Sequence, residues 1–159
     1  MRLLTPVNRL VMELCIITGL RIGDALAIRT AKLGRRMTIR EAKTGKSRRI
    51  TIPPGLLQEL EQQAGEVYVF EGAWDRQKHR TRQAVWKDLK RAAKAARIPA
   101  NVGPHSARKV YAVELYRRRG LKAAQAALNH DEAAVTLLYA LADEMRQRGP
   151  ASRKRSLTK

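Results

Sequence analysis

Cysteine, acid and long apolar runs are all scarce in this chain. Among 159 residues there is one cysteine, Cys15. A single thiol excludes an intrachain disulfide and a Cys-rich zinc site. It lies in the apolar stretch "VMELCIITGL", where a thiol is expected to act as a small buried hydrophobe. Nothing points to an oxidising compartment. No run approaches the roughly 18 apolar residues that a membrane span needs. The N-terminal "MRLLTPVNRL" has no signal-peptide core. No glycine-rich loop suited to cradling a nucleotide phosphate is present. A soluble intracellular protein is expected.

The shortage of acid shapes the rest. Asp and Glu number 14 against 33 Lys and Arg, a formal charge of +19. Such a charge on one small domain opposes compaction by self-repulsion, and an anionic partner relieves it. Nucleic acid is the commonest such partner. A membrane surface fits less well, because the bases are spread along the whole chain. Ribosomal and architectural proteins share this composition, so charge alone does not give a function. The hydrophobic fraction is 44%, too high for a disordered chain. The length suits one domain with a real core.

Periodicity predicts the elements. Val7, Leu10, Val11, Leu14 and Ile17 recur at helical spacing, which predicts a helix over 5–17. Thr5 then Pro6 is a start signal, and Gly19 a stop. A short helix, "RIGDALAIRT", follows. The period then changes to two. Met37 and Ile39 share a face, as do Ile50 and Ile52, and "AKTGKS" lies between them as a Gly-containing turn. These features predict a β-hairpin. "PPGLLQELEQQAG" reads as a helix and "EVYVF" as a third strand. "RQAVWKDLKRAAKAARI" is a helix with Val85 and Leu89 inward and a basic opposite face. Helices are expected at about 105–119, 121–128 and 131–142. Beyond Met145 the chain has bases, no acid and no large apolar face, so residues 145–159 are expected to form a disordered basic tail.

Candidate functional groups sit at junctions and turns, where a rigid scaffold presents them. Arg21 stands in "TGLR", Lys43 in the hairpin turn, and His105 and Arg108 three apart at a helix start. His130 lies in "LNHD", and Tyr139 nine residues later. Singly, each has a bland reading: a capping His, a solvated turn Lys, a core Tyr. In order they form a set. "TGLRIGDALAIR", "REAKTGKSRRITIP", "PHSARKVYAVELYRRRG" and "ALNHDEAAVTLLYAL" together resemble the catalytic domain of the tyrosine recombinases, the phage integrase family, over about residues 5–142.

That resemblance implies a mixed α/β, mostly α-helical domain over residues 1–144, with a small antiparallel β-sheet at one edge carrying Lys43. It implies that Tyr139 attacks the scissile phosphate to form a 3′-phosphotyrosyl bond. Arg21 and Arg108 then hold the two non-bridging oxygens, and Lys43 is the general acid for the leaving 5′ oxygen. Lys46, in the same turn, is the rival for that acid role. His105 and His130 complete the pocket and help move protons. Asp24 orients Arg21 or caps its helix. No metal and no cofactor are implied. The implied function is site-specific DNA cleavage and rejoining by an integrase of a phage or other mobile element. Duplex DNA and further copies of the chain are the implied partners, in a synaptic tetramer. The resemblance also implies that the segment from about residue 131 is the candidate to dock on a neighbouring protomer, so that a free monomer is expected to hold Tyr139 out of place. The implied location is cytoplasmic, at the nucleoid in a prokaryotic or phage setting. The family's N-terminal core-binding domain is expected to be absent from this chain, which starts almost at the first catalytic helix.

Physical chemistry agrees with those roles. A phenol has a pKa of ~10 and is a poor nucleophile at neutral pH without a base or a local positive field. Two Arg, one Lys and two His supply that field. Guanidinium groups match the equatorial phosphate oxygens bidentately. One fixed group aimed at developing charge is worth roughly 3–4 kcal/mol by oxyanion-hole precedent. A covalent intermediate conserves the energy of the broken bond, so rejoining needs no ATP.

Arg40, Lys46, Arg48, His79, Arg80, Arg82 and Lys109 are expected to face DNA phosphate, where they position the duplex without reading sequence. Trp74 and Trp86 are expected to be packing residues. The set departs from the family at Ala107, where Leu is usual, at Lys109, where His is frequent, and at Asn129, where Gly is usual. Two other activities remain open. One is type IB topoisomerase-like relaxation of supercoils; His130 and the "TGLR" box favour a recombinase. The other is a non-catalytic basic DNA-binding regulator. A ribosomal-type RNA binder explains the charge but not the ordered set.

Overall fold

The computed structural model describes residues 3–98, 102–103 and 105–128. The expected helix at 131–142, the basic tail, and with them His130 and Tyr139, lie outside the described residues. The chain divides into two compact units, residues 1–111 and 112–159. The hydrophobic core described below belongs to the first.

Helix α1 (Pro6–Thr18) starts where Thr5–Pro6 predicts, with Pro at the first turn. Leu10, Val11, Leu14 and Cys15 are buried on its inner face. Its end is set by Gly19, which adopts the left-handed conformation at φ 66° and returns its N–H to Cys15 O. That conformation disfavours any residue with a Cβ. A Cβ here would also overlap the ring of Tyr111. The start is held from outside the helix. The Thr5 backbone N–H and hydroxyl both donate to Asp88 Oδ2 at 2.9 Å, and Asn8 Nδ2 donates to the same oxygen at 2.8 Å. Thr5 therefore makes no side-chain cap of its own.

Helix α2 (Ile22–Leu26) follows at once, with Arg21 as its N-cap residue in extended conformation. The chain then forms the hairpin β1 (Arg36–Arg40) and β2 (Ser47–Thr51), antiparallel, with Met37 opposite Ile50. Met37, Ile50 and the following Ile52 are buried, as the period-two pattern predicts. Helix α3 (Pro54–Gln63) buries Leu56 and Leu60, and helix α4 (Arg82–Ala95) buries Val85, Asp88 and Leu89. Thr81 caps α4 by accepting from Ala84 N–H at 3.1 Å. Helix α5 (His105–Leu128) is interrupted at Gly120 (φ 77°, ψ 179°), where the sequence separates two helices. The division between the two units also falls in α5, after Tyr111.

Two expectations need correction. "EVYVF" is not a strand. It makes one isolated antiparallel bridge, Arg29 with Tyr68, supported by Thr30 N–H to Val67 O and Val69 N–H to Ile28 O. Its last two residues, Val69 and Phe70, are both fully buried, so the segment lacks the alternation of a half-buried strand. Trp74 does not pack: it is fully exposed on the loop after Phe70. Trp86 is also exposed on α4, with Lys90 Nζ 5.8 Å from its ring centroid.

Candidate active site

The C-terminus of α1 brings the first site elements together. The last carbonyls of a helix lack partners inside it and carry partial negative charge. Two guanidiniums meet them here. Arg108 Nη1 donates to Gly19 O at 2.7 Å, and Arg48 Nη2 donates to Thr18 O. Thr18 turns its hydroxyl back to Leu14 O at 2.6 Å, and Leu20 is fully buried. Each letter of "TGLR" thus has a local reason. Thr18 bonds the preceding turn, Gly19 reverses the chain under Tyr111, Leu20 anchors in the core, and Arg21 emerges at the start of α2.

Arg21 and Arg108 converge on a residue that the sequence reading did not single out. Glu41 is fully buried at the end of β1. Its Oε2 accepts from Arg21 Nη1 and from Thr44 Oγ1, the latter at 3.0 Å. Its Oε1 lies 3.8 Å from Arg108 Nη1 and accepts no hydrogen bond among the described residues. Burial pushes this carboxyl's pKa up. The hydrogen bonds from Arg21 and Thr44 and the charges of Arg21 and Arg108 outweigh burial and hold it below the usual range. Glu41 is therefore an anion clamped between the two expected phosphate-gripping arginines. Burial, then the nearby positive Arg21, pull Arg108 down to about 10, with Glu41 opposing.

The hairpin turn carries the candidate acids. Glu41 N–H donates to Lys46 O at 2.9 Å, and Gly45 N–H donates back to Glu41 O at 2.8 Å, with Gly45 at φ 67°. Lys43 and Lys46 are exposed on this turn. Asp24, buried on α2, accepts the Ala42 backbone N–H on Oδ1 at 3.0 Å. Asp24 thus ties the helix of Arg21 to the turn of Lys43. Among the described residues it neither caps its own helix nor makes a hydrogen bond to Arg21. His105 is exposed at the first position of α5, one turn before the buried Arg108. Ala107, where the family usually has Leu, is buried in the core.

The expected DNA-facing residues divide into two groups. Arg40, Lys46, Arg82 and Lys109 are exposed. Arg48, His79 and Arg80 are only partly exposed. Arg48 reaches Thr18 O, and Arg80 Nε donates to Asn8 Oδ1 at 2.7 Å. His79 sets its ring edge-on to Tyr68, 5.5 Å between centroids, with Nδ1 2.8 Å from Arg80 O. A cavity of about 560 Å³ lies between α2 and β1, lined by Asp24 and by the bases Arg29, Lys32, Arg36 and Arg40. Among the described residues no group of three His, Cys, Asp or Glu could hold a metal ion. None of the described helices is long and apolar enough to cross a membrane.

The chain is similar to known proteins in sequence and in fold. A tyrosine recombinase of Thermosipho africanus is 28% identical over 136 residues, covering 80% of this chain and 47% of that protein. Tyrosine recombinase XerD of Lacticaseibacillus casei is 30% identical over 150 residues, covering 83% and 49%. The chain spans about half the length of these curated relatives. Its fold is similar to the XerH site-specific recombinase bound to palindromic difH substrate in a post-cleavage complex. There the TM-score is 0.71 at 22% identity, over 92% of this chain and 45% of that one. It is also similar to a lambda integrase dimer bound to a COC′ core site, with TM-score 0.69 and 22% identity over 84% and 42%. The model of the phage integrase family matches residues 4–146, nearly the whole length, and the chain belongs to that family.

Proposed function

We propose that this chain is the catalytic part of a site-specific DNA recombinase. Residues 1–144 form the catalytic domain and 145–159 a basic tail. Tyr139 attacks the scissile phosphate, the P–O bond to the 5′ oxygen breaks, and a 3′-phosphotyrosyl bond remains. Arg21 and Arg108 neutralise the non-bridging oxygens. Lys43 gives its proton to the departing 5′ oxygen, and His105 and His130 assist proton movement. Rejoining reverses these steps on a new 5′ hydroxyl. The observation that carries the reading is the convergence of Arg21 and Arg108 on one buried anion. Two guanidiniums brought within reach of one carboxylate from sequence positions 87 residues apart (108 − 21) form a site for a two-oxygen anion.

The partner is duplex DNA. The exposed bases Arg40, Lys46, Arg82 and Lys109, and the basic rim of the cavity beside β1, are candidate contacts to its backbone. Self-assembly on paired sites is part of the proposal. A lambda integrase of similar fold is a tetramer on a Holliday junction, and we carry that arrangement over to this chain. The segment from about 131 is the candidate for exchange between protomers. A cytoplasmic location follows from that partner.

The test is a covalent trap. The protein is incubated with nicked duplexes and supercoiled plasmid in EDTA, quenched with SDS, and scored for DNA-linked protein beside Tyr139→Phe. An adduct that maps to Tyr139 and vanishes in the variant is the expected result. Relaxed plasmid without strand exchange between duplexes would instead favour a topoisomerase. Equal DNA binding by both proteins with no adduct, even on a cognate site with a relative's upstream domain supplied, would leave a DNA-binding regulator.

A further inference from the structure

Glu41 is the most completely buried acid described in a chain with few acids. Its Oε2 accepts from Arg21 and Thr44, while Oε1 lies 3.8 Å from Arg108 Nη1 and accepts no hydrogen bond among the described residues. Burying a carboxylate is unfavourable unless its charge is matched. Here the matching charges are the two residues expected to grip phosphate, with Arg48 a third cation in the same neighbourhood. Three guanidiniums gathered around one helix end repel one another. The carboxylate between them offsets that repulsion and fixes where two of them point. A carboxylate also offers a guanidinium the same paired-oxygen edge that a phosphodiester does.

We propose that Glu41 is a positioning residue for phosphate chemistry: its carboxylate orients Arg21 and Arg108 from behind, and its charge limits how tightly their pocket holds a ground-state anion. This rests on the DNA-cleavage reading above. The consequence is an opposition between binding and rate. The anion gives up some affinity for the resting phosphate. In return the arginines stay aimed where charge grows in the transition state, the only place where binding accelerates the reaction. A residue needed only for folding would move both quantities the same way.

The experiment compares the full chain with Glu41→Gln and Glu41→Asp. Inorganic phosphate binding is followed by shifts of the arginine side-chain NMR signals. DNA binding is read by fluorescence anisotropy, and adduct formation in a single turnover at saturating nicked duplex. Glu41→Gln should bind phosphate on the order of 10-fold more tightly, since one unit charge leaves the pocket. Its adduct should form on the order of 10²-fold more slowly, the effect of about 1 Å of misplacement. Glu41→Asp keeps the charge and shortens the reach, so phosphate affinity should stay near wild type while the rate falls. A folded Glu41→Gln with unchanged or weaker phosphate binding overturns the proposal. So does an unchanged adduct rate, or a fall in affinity and rate together. If Glu41→Gln does not fold, Glu41→Asp decides alone: a wild-type rate in that variant overturns the positioning role. If the wild-type chain forms no adduct on any substrate, the cleavage reading fails, and the phosphate arm alone decides the charge effect of Glu41.

Discussion

Asp24 and Ala42 are joined by a 3.0 Å hydrogen bond from the Ala42 backbone N–H to Asp24 Oδ1. The bond ties two elements together. One begins with Arg21 and the other carries Lys43. On the proposed mechanism, Asp24→Ala releases the turn without touching the phosphate. Proton donation to the leaving oxygen should then suffer more than DNA binding, by up to about 10²-fold in cleavage rate. A substrate with sulfur in place of the leaving 5′ oxygen needs no acid, because a thiolate leaves unaided near its pKa of about 8.5. It should restore most of the rate to Asp24→Ala and to Lys43→Ala. Rescue of Lys46→Ala in place of Lys43→Ala would move the acid role to Lys46. No rescue of Asp24→Ala would mean that Asp24 acts through Arg21 instead.

Gly19→Ala is expected to be among the most damaging single-methyl changes in the chain. The left-handed φ of 66° disfavours a Cβ by about 1–2 kcal/mol. The Tyr111 ring occupies the space it would take, adding roughly 1–3 kcal/mol of overpacking. The methyl also pushes on the turn between Thr18 and Arg21, so activity should fall beyond what lost stability explains. Adding Tyr111→Ala removes the clash but not the φ penalty. Urea unfolding of the double variant should therefore show coupling, with Gly19→Ala less harmful when Tyr111 is already truncated. Strict additivity would show that the ring is not what excludes the methyl.

The elements and the lysine turn were legible because their signals are local. Pro6 and Gly19 bracket α1, and Met37 and Ile50 keep a period of two. Gly120 breaks the helical φ/ψ where the helix period also breaks. What was not legible depends on distant partners. Glu41 stands beside a Gly-containing turn rich in Lys, and nothing local marks it as buried. Only the fold brings Arg108 to it. Asp88 lies in a helix with a basic face, and its partner Thr5 is 83 residues away. Arg48 and Arg80 read like the surrounding phosphate-seeking bases, but long flexible side chains can turn inward wherever a carbonyl or amide awaits them. "EVYVF" has strand composition, but composition records what a segment can bury and not whether a neighbouring strand exists to pair with it.

Cys15 offers an internal reporter. Burial pushes its thiol up to about 12, and its side chain is fully covered. A thiol so placed reacts only when the core opens. In native buffer at pH 8 the chain should resist iodoacetamide and react at once in denaturant. Because this is the one thiol in the sequence, the labelling rate reads opening of the α1 core directly. Duplex DNA that binds the folded state should slow labelling further, in proportion to its concentration over Kd. Fast labelling of the native chain would show that α1 frays or that the core around Leu14 is loosely packed.

Asp88 contributes to the acid sensitivity of the fold. Burial pushes its carboxyl up. The bonds from Asn8, Thr5 and Arg91 pull it down further, to about 2, against an ordinary value of 3.8. Since the folded value is the lower, the contribution is fully present above the unfolded value. It disappears as pH falls from about 4 toward 2. The difference of nearly two units corresponds to roughly 2 kcal/mol at neutral pH. Asp88→Asn keeps one acceptor oxygen but loses the charge that holds Thr5, Asn8 and Arg91 together. At pH 7 it should destabilise the chain by about that amount, read by urea denaturation, and loosen the start of α1. The gap between wild type and variant should then close as both are titrated from pH 5 to pH 2. A gap that persists at pH 2 would assign the effect to lost packing on α4. A gap that is absent at pH 7 would show that Thr5 and Asn8 find water as good a partner as the carboxylate.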